Sequence, residues 1–524
     1  MRVLVMNLTR MGDILESVPV LKALKRKFSE VHLLVNKEFA GITQFIPYCD
    51  FIHTFERLDF VTSLSRLNAL FPRFYKYYSD FVKEVNKRDY DLLINFVPEA
   101  VSALLANMIK AKEKRGAIYK KGDVFCIDNW TRFLMNAVLN RKFNPFNLTD
   151  ILAGISDVEA EIDAELRVKE EKEKEAVEIL YKNRVKEGDI LIGFQPGASR
   201  PEKIWMPHYF AQVAKHFQNR AKIILFGVEK EKPLGEAIKK RAQVIDLIGK
   251  TDLGLLISIL KRCKILLTND TGTMHIASRV GVPCLTLCMG TARSYETAPY
   301  SADNIVVEPA IPCYPCHPDT NCKSFACKYK IKPEIIIEIM EKMLKKEKIE
   351  ARWKGVRVYV TRHKDGLLHL LPLHKKTLYD FYNEVYMFTW RKILSGNFEE
   401  KVSFDTNFDK PFVEEKMGLY HLHNLSVEGE KICDYLLSSI LRSKRLKFEE
   451  VEGKIKKVSE GILNLRRNYF LRPIIDAFLL EQDDKGDVVS LSLRLRHSFR
   501  FLRFVSVLTY KYLVERGRYV CEIW

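Results

Sequence analysis

The stretch Thr268-Asn-Asp-Thr-Gly-Thr-Met-His-Ile-Ala-Ser-Arg-Val-Gly-Val-Pro283 decides how the middle of this chain folds. An apolar run at residues 265–267 stops at a polar turn, and apolar residues at helical spacing follow that turn. The pattern predicts a strand, a tight turn and a helix. In such a turn, unpaired backbone N–H groups and the positive end of the helix dipole point at one spot, where they favour an anion such as phosphate.

Polar side chains of the same turn add to this predicted anion site. Thr271 and Thr273 supply hydroxyl donors, and His275 on the first helical turn is close enough to donate to a bound anion. Asp270 would repel phosphate, so we expect it to accept hydrogen bonds from the hydroxyls of a sugar attached to that phosphate. The alternative is an N-capped helix of an ordinary α/β domain, which needs no ligand.

The flanking sequence alternates strands with helices and predicts two parallel, doubly wound sheets. Strands at 2–6, 31–35 and 90–96 belong to a first α/β domain at residues 1–165. A Glu- and Lys-rich stretch at 159–188 is the predicted linker, and the alternation restarts in a second domain at residues 185–345. Ligands of such sheets bind where strands end, so the site is expected in a cleft between the two domains.

Residues 350–524 form a predicted extension that no longer alternates strands with helices. Apolar strands on either side of Asp365-Gly366 predict a β-hairpin, and the later sequence is mostly helical. The predicted helices lie at residues 375–394, 430–442, 451–467 and 491–515. The last one carries arginines on one face, Arg496, Arg500 and Arg503. It is either a basic helix that contacts anionic lipid or a core helix with paired arginines.

Composition limits the partners of the chain. Its 524 residues are 47% hydrophobic and 29% charged, which is typical of a folded globular protein of two or three domains. The net charge of +18 favours acidic partners, but no motif interleaves aromatic and basic residues, so nucleic-acid binding is not expected. The sequence has no signal-peptide core and no run of about 18 apolar residues. We therefore expect a cytoplasmic protein, with any membrane contact peripheral at the inner face.

Three segments together resemble glycosyltransferase family 9, the ADP-heptose lipopolysaccharide heptosyltransferases. They are Met11-Gly-Asp-Ile-Leu-Glu-Ser-Val-Pro-Val-Leu21, Gln195-Pro-Gly-Ala-Ser-Arg-Pro-Glu-Lys-Ile-Trp205 and the turn and helix from Asn269 to Pro283, with Tyr90-Asp-Leu-Leu-Ile94 between the first two. The resemblance covers about residues 1–345. It implies an α/β protein of the GT-B type, with two Rossmann-like domains and the active site between them.

The resemblance also implies roles for individual residues. Asp13 matches the proposed general base. Without the other motifs, the simpler interpretation would be that it caps the helix that starts at Ile14, and one residue can do both. Lys203 matches a lysine that contacts the donor diphosphate, and Glu229 an acidic residue that accepts hydrogen bonds from the ribose. The full set of implied donor-binding residues is Gly12, Ser199, Lys203, Glu229, Asp270, Thr271, Gly272, Thr273 and His275.

Four cysteines within fifteen residues suggest a metal site in the second domain. Cys313-Tyr-Pro-Cys316 is followed by Cys322 and Cys327, and this order is typical of tetrahedral thiolate sites for zinc or iron. Such a site would be structural. The alternative is four free or redox-active thiols.

The function that follows from the resemblance is inverting transfer of a heptose-type sugar from an ADP-sugar donor to a hydroxyl. The acceptor would be a lipopolysaccharide-core glycolipid or a protein, and the transfer itself would need no cofactor. One alternative is a nucleotide-sugar epimerase on the same fold, which would turn over its donor without an acceptor. Another is a non-catalytic interaction protein in which the extension is the functional part.

Overall fold

The computed structural model describes residues 1–56, 67–120, 122–139, 141, 144–317, 320 and 322–395, together with a few isolated residues between 426 and 462. The chain divides into two compact units, Met1–His374 and Lys375–Trp524. The first unit holds both sheets and the candidate site. Within the second unit, the structure describes one complete helix, Leu378–Ser395, where a helix was predicted at 375–394.

The first sheet has six strands and is parallel except at one edge. Its strands are β1 (Arg2–Asn7), β2 (Glu30–Asn36), β3 (Phe51–Phe55), β4 (Leu92–Asn95), β5 (Glu113–Lys120) and β6 (Asp123–Cys126). They lie in the order β3-β2-β1-β4-β5-β6, and only β5 and β6 pair antiparallel. The helices of this half are α1 (Met11–Lys27), α2 (Leu67–Val85), α3 (Ala100–Met108), α4 (Asn129–Leu139) and α5 (Leu148–Ser156), with a 3₁₀ helix at Lys37–Phe45.

The second sheet has eight strands in the order β14-β13-β12-β11-β10-β7-β8-β9. The strands are β7 (Leu191–Gln195), β8 (Lys222–Leu225), β9 (Ile245–Asp246), β10 (Ile265–Asn269), β11 (Cys284–Leu287), β12 (Ile305–Pro309), β13 (Val356–Lys364) and β14 (Leu367–Pro372). Its helices are α6 (Glu170–Lys182), α7 (Pro207–Phe217), α8 (Lys232–Lys239), α9 (Leu253–Leu260), α10 (Gly272–Arg279), α11 (Ser294–Thr297), α12 (Ala326–Lys330) and α13 (Pro333–Lys345). The helix of the second unit, Leu378–Ser395, is α14.

The predicted hairpin forms, but it is not separate from the second sheet. Asp365 and Gly366 both have positive φ angles, 53° and 74°, as a two-residue hairpin turn requires. Strand β13 pairs antiparallel with β12, so the hairpin continues the second sheet rather than beginning an extension. The sheet therefore reaches residue 372, beyond the predicted end of the second domain at 345.

The α/β class and the two doubly wound sheets are as predicted. In each sheet, strands that are distant in sequence are neighbours: β1 lies between β2 and β4, and β10 between β11 and β7. These are the points where the strand order reverses and where ligands of open α/β sheets bind. The stretch from Thr268 to Pro283 forms the end of β10, the turn and α10, which is the predicted strand, turn and helix.

Tight packing fixes the loop that leads from β7 to α7. Trp205 is fully buried in the core of the second sheet, and its indole Nε1 donates to the carbonyl oxygen of Ile331 at 2.8 Å. The last residue of β10, Asn269, holds the other end of the loop. Its Nδ2 donates to the carbonyl oxygens of Pro196 at 2.8 Å and Gly197 at 3.2 Å, and its Oδ1 accepts from the Trp205 backbone N–H.

Among the helices of the described ranges, none combines the length and the hydropathy that a bilayer crossing requires. The predicted basic helix with Arg496, Arg500 and Arg503 lies outside the described residues, as do almost all of the predicted helices at 430–442 and 451–467.

Candidate active site

A cavity of 1670 Å³ lies where the two sheets face each other. Residues at the carboxyl ends of strands from both sheets line it, including Asn7 of β1, Phe96 after β4, Gln195 of β7 and Asp270 after β10. The cavity therefore occupies the position at which parallel α/β sheets bind ligands.

Asp13 lines this cavity from the first turn of α1. The Arg10 backbone N–H donates to its Oδ2 at 3.3 Å, and the Asn7 amide Nδ2 donates to its backbone carbonyl at 3.1 Å. Burial raises the pKa of the Asp13 carboxyl above its ordinary value, while the hydrogen bond from Arg10 opposes that shift. The helix begins at Met11, so Asp13 is its third residue and accepts a hydrogen bond from the N-cap residue Arg10 while it faces the cavity. A capping interaction and a catalytic role therefore do not exclude each other.

The start of α10 forms the facing wall. Thr271 is its N-cap residue, and Thr271, Gly272 and Thr273 all line the cavity. The first turn of α10 approaches α1 closely: a Cβ at Gly12 would lie 3.6 Å from Cδ2 of the His275 ring. His275 is buried, and burial lowers its pKa to about 4, so the ring is neutral near pH 7.

Lys203 and Asp270 form a buried ion pair in the same wall. The Lys203 Nζ lies 2.5 Å from Oδ2 of Asp270, and the two side chains are 14% and 5% exposed. Burial alone would raise the pKa of Asp270, but the charge of Lys203 and its hydrogen bond hold that pKa below the ordinary value. Asp270 is therefore ionised at neutral pH, and each residue is the partner of the other when no ligand is bound.

The structure does not bring Glu229 to the cavity, contrary to the prediction. The Glu229 side chain is 71% exposed and pairs with Lys232. Its near neighbour Glu231 lines the cavity instead and is buried. Burial raises the pKa of Glu231, and the Val228 backbone N–H, which donates to its Oε2 at 3.0 Å, opposes the shift.

Glu231 also belongs to a chain of hydrogen bonds that reaches α10. Gln195 Nε2 donates to Oε2 of Glu231 at 3.2 Å, and the Thr273 hydroxyl donates to Oε1 of Gln195 at 3.0 Å. Gly197 passes so close that a Cβ there would lie 2.0 Å from the Glu231 carboxyl. Gln195, Glu231 and Asn269 were missed by sequence reasoning. In the sequence, Gly197 was the one local indication that another side chain, here the Glu231 carboxyl, lies where a Cβ would be.

The predicted thiolate metal site is not supported by the structure. Among the described residues, no group of three or more His, Cys, Asp and Glu side chains is arranged to hold a metal ion. Cys313 is exposed and Cys327 packs into the hydrophobic core of the second sheet, yet Cys316 is close enough to the other three that, after burial, the charges of Cys327, Cys313 and Cys322 raise its pKa. Cys322 Sγ accepts a hydrogen bond from the Phe325 backbone N–H at 3.4 Å, and Cys316 is half-buried. None of the four cysteines is in a disulfide bond.

The predicted donor-binding residues otherwise share one cavity. Its lining includes Gly12, Ser199, Lys203, Asp270, Thr271, Gly272, Thr273 and His275, with Asp13 on the same surface. The Asp13 carboxyl on the α1 side thus faces Lys203 and the N-terminus of α10 across the cavity. Such an arrangement can hold an anion against one wall and accept a proton at the other.

Comparison with known proteins identifies a family and several relatives. Residues 79–325 match the family described as Glycosyltransferase family 9 (heptosyltransferase). Lipooligosaccharide heptosyltransferase 2 of Campylobacter jejuni is 26% identical over 346 residues, which cover 64% of this chain and 96% of that protein. The protein of the same name from Haemophilus influenzae is 35% identical over 119 residues, or 21% of this chain and 34% of that protein.

A solved structure shares the fold. The crystal structure of the glycosyl transferase family 9 protein from Veillonella parvula has a TM-score of 0.53 and 23% sequence identity, and the match covers 66% of this chain and 98% of that one. The two facing α/β sheets with a cavity between them are the GT-B architecture. Residues 79–325 match a glycosyltransferase family 9 domain, and the chain is a glycosyltransferase with the GT-B fold.

Proposed function

We propose that this enzyme transfers a heptose from an ADP-heptose-type donor to a hydroxyl of the lipopolysaccharide core, with inversion at the anomeric carbon. One observation carries the proposal: Asp13 lines the same cavity as Lys203 and the start of α10. The sugar and the glycolipid acceptor are suggested by the relatives, which are named as heptosyltransferases of lipooligosaccharide and lipopolysaccharide. None of those names suggests a protein acceptor.

In the proposed reaction, Asp13 is the general base. Inverting transfer needs a carboxylate that takes the proton from the acceptor hydroxyl as its oxygen attacks the anomeric carbon, opposite the departing nucleotide. The raised pKa of Asp13 suits this role, because a more basic carboxylate takes up a proton more readily.

The opposite wall would stabilise the leaving nucleoside diphosphate. Backbone N–H groups at the start of α10 and the ammonium of Lys203 supply positive charge where negative charge develops. Binding of the diphosphate would draw Lys203 from Asp270, which would leave the Asp270 carboxylate to accept hydrogen bonds from the sugar hydroxyls. The neutral His275 ring can donate one N–H to the same diphosphate. Transfer by this route needs no metal ion.

A donor comparison tests the proposal. Calorimetry with ADP, GDP and UDP is expected to show binding of ADP, and the wild-type enzyme should transfer heptose from ADP-heptose to core lipopolysaccharide that lacks heptose. Binding of UDP but not of ADP would overturn the donor assignment. Turnover of ADP-heptose at the same rate without any acceptor would instead indicate an epimerase or hydrolase.

We propose that Glu231, which lines the cavity, accepts hydrogen bonds from the ribose hydroxyls in place of Glu229. Replacing Glu231 with alanine is then expected to weaken ADP binding about tenfold, since such a contact of a buried carboxylate contributes about 1.5 kcal/mol or more. Glu229→Ala is the matched control, because it removes an exposed glutamate of the same turn and should leave ADP affinity within about twofold. Calorimetry measures both affinities. If Glu229→Ala weakens binding and Glu231→Ala does not, the ribose contact belongs to Glu229 after all.

A further inference from the structure

Helix α1 carries a second carboxyl group at the cavity, and the mechanism above does not use it. Glu16 lies one helical turn after Asp13, lines the same cavity and is only 3% exposed. Its Oε1 has no hydrogen-bond partner among the residues that the structure describes. Buried polar groups in folded proteins are nearly always hydrogen-bonded, so an unpartnered carboxyl oxygen at a ligand cavity suggests that the ligand supplies the partner.

The His275 side chain on the opposite wall does not satisfy Glu16. Its Oε2 lies 3.9 Å from Nε2 of His275, which is too far for a hydrogen bond. Because the His275 ring is neutral near pH 7, it offers Glu16 no compensating positive charge. The Thr149 hydroxyl of α5 donates to the backbone of this residue, at 2.8 Å from the Glu16 carbonyl oxygen.

Burial and the surrounding negative charges favour the protonated form of the Glu16 carboxyl. Burial, followed by the negative charges of Asp13, Asp270 and Glu296, raises the pKa of Glu16 well above its ordinary value. Arg141 opposes the shift. Its guanidinium is shared with Glu296, because Nε donates to both carboxylate oxygens of Glu296 at 3.0 Å.

A neutral carboxylic acid has one O–H donor and one carbonyl acceptor, a pair that suits the hydroxyl of a sugar. Glu16 and Asp13 are three residues apart on one helix, so their side chains lie on the same face. An acceptor sugar whose reacting hydroxyl sits on Asp13 therefore has its other hydroxyls within reach of Glu16.

We propose that Glu16 is a positioning residue which hydrogen-bonds a second hydroxyl of the acceptor sugar and thereby holds the attacking hydroxyl against Asp13. This inference rests on the proposed function, since it needs an acceptor in the cavity. It assigns Glu16 to acceptor binding and gives it no part in donor binding or in taking up the proton.

Two substitutions at this position distinguish a neutral carboxyl that hydrogen-bonds the acceptor from an ionised carboxylate and from a purely structural side chain. Glu16→Gln keeps a donor and an acceptor without charge, so the KM for heptose-deficient core lipopolysaccharide should stay within about threefold of wild type. Glu16→Leu removes both groups and is expected to raise that KM about tenfold or more, with kcat and ADP affinity little changed. Because Leu also removes an unsatisfied buried polar group, its melting temperature should equal or exceed that of the wild type.

Ser17→Ala serves as the control, because Ser17 is buried on the same helix, does not line the cavity and donates to the Ile14 carbonyl oxygen.

A lower melting temperature for Glu16→Leu, with the acceptor KM unchanged, would show that Glu16 is merely structural. Weaker ADP binding in Glu16→Leu would overturn the inference by placing Glu16 on the donor side. An equal loss in Glu16→Gln and Glu16→Leu would show that the ionised carboxylate is required, and would overturn it too. If the wild type transfers no heptose, both the proposed function and this inference are wrong. If the wild type is active and Glu16→Leu has the same acceptor KM, only this inference is wrong.

Discussion

Replacing Asp13 with asparagine should lower kcat by about 10²- to 10⁴-fold, the usual contribution of a positioned general base, while ADP affinity stays within about twofold. Asparagine preserves the size of the side chain and can still accept the hydrogen bond from the Arg10 backbone N–H. The helix cap therefore survives, and only the capacity to take up a proton is lost. Steady-state kinetics with saturating acceptor, together with calorimetry with ADP, measures the two quantities separately.

The dependence of activity on pH checks the same role. Because burial raises the pKa of Asp13, the acid limb of kcat/KM should lie above the ordinary aspartate value of 3.8. Activity should fall as the pH drops through that raised pKa, since the protonated carboxyl cannot act as a base. In Asp13→Asn, the residual rate should lose this acid limb.

Asp163→Asn is a suitable control for the Asp13 substitution. Asp163 is largely exposed and pairs with Lys22 of α1, so the change removes a carboxylate from the surface near the same helix but outside the cavity lining. We expect its kcat to match that of the wild type. An Asp13→Asn enzyme that kept about a tenth or more of the wild-type kcat would rule out Asp13 as the general base.

Local sequence patterns predicted the elements of the fold well because they depend on short-range interactions. The alternation of apolar and polar residues around the turn at Asp270 corresponds to β10 and α10. The Asp365-Gly366 turn likewise corresponds to a hairpin. What this pattern could not show was the partner of the hairpin, because the pairing of β13 with β12 joins residues about fifty positions apart in the chain.

The candidate site was predictable to the extent that its residues follow strand ends. Glu229 and Glu231 share one short 3₁₀ helix, Glu229–Glu231, and the sequence does not show which of them turns toward the cavity. Glu16 was missed for a related reason: its burial results from packing of α1 against α5 and α10, which is not a local property. The cysteine spacing matched a metal motif, but the spacing could not show that Cys327 packs into the core of the second sheet, because that burial depends on residues distant in sequence.

Removal of Lys203 should affect both stability and donor binding, because the same ammonium pairs with Asp270 and faces the cavity. In Lys203→Ala, the Asp270 carboxylate is left buried without its partner, a change that typically destabilises a protein by about 3–5 kcal/mol. The free energy of unfolding from urea denaturation measures this loss. Lys232→Ala is the matched control: it breaks the exposed pair with Glu229 and should cost less than about 1 kcal/mol.

The same substitution should weaken ADP binding about 100-fold, since it removes a charged hydrogen bond to the diphosphate and leaves the negative charge of Asp270 to repel it. The double variant Lys203→Met with Asp270→Asn separates the two effects. It removes both charges, so stability should recover most of the loss, whereas ADP binding should remain weak because no ammonium meets the diphosphate. Recovery of ADP affinity together with stability would mean that Lys203 acts only by neutralising Asp270, and the positive charge at the leaving group would then have to come from the N-terminus of α10 alone.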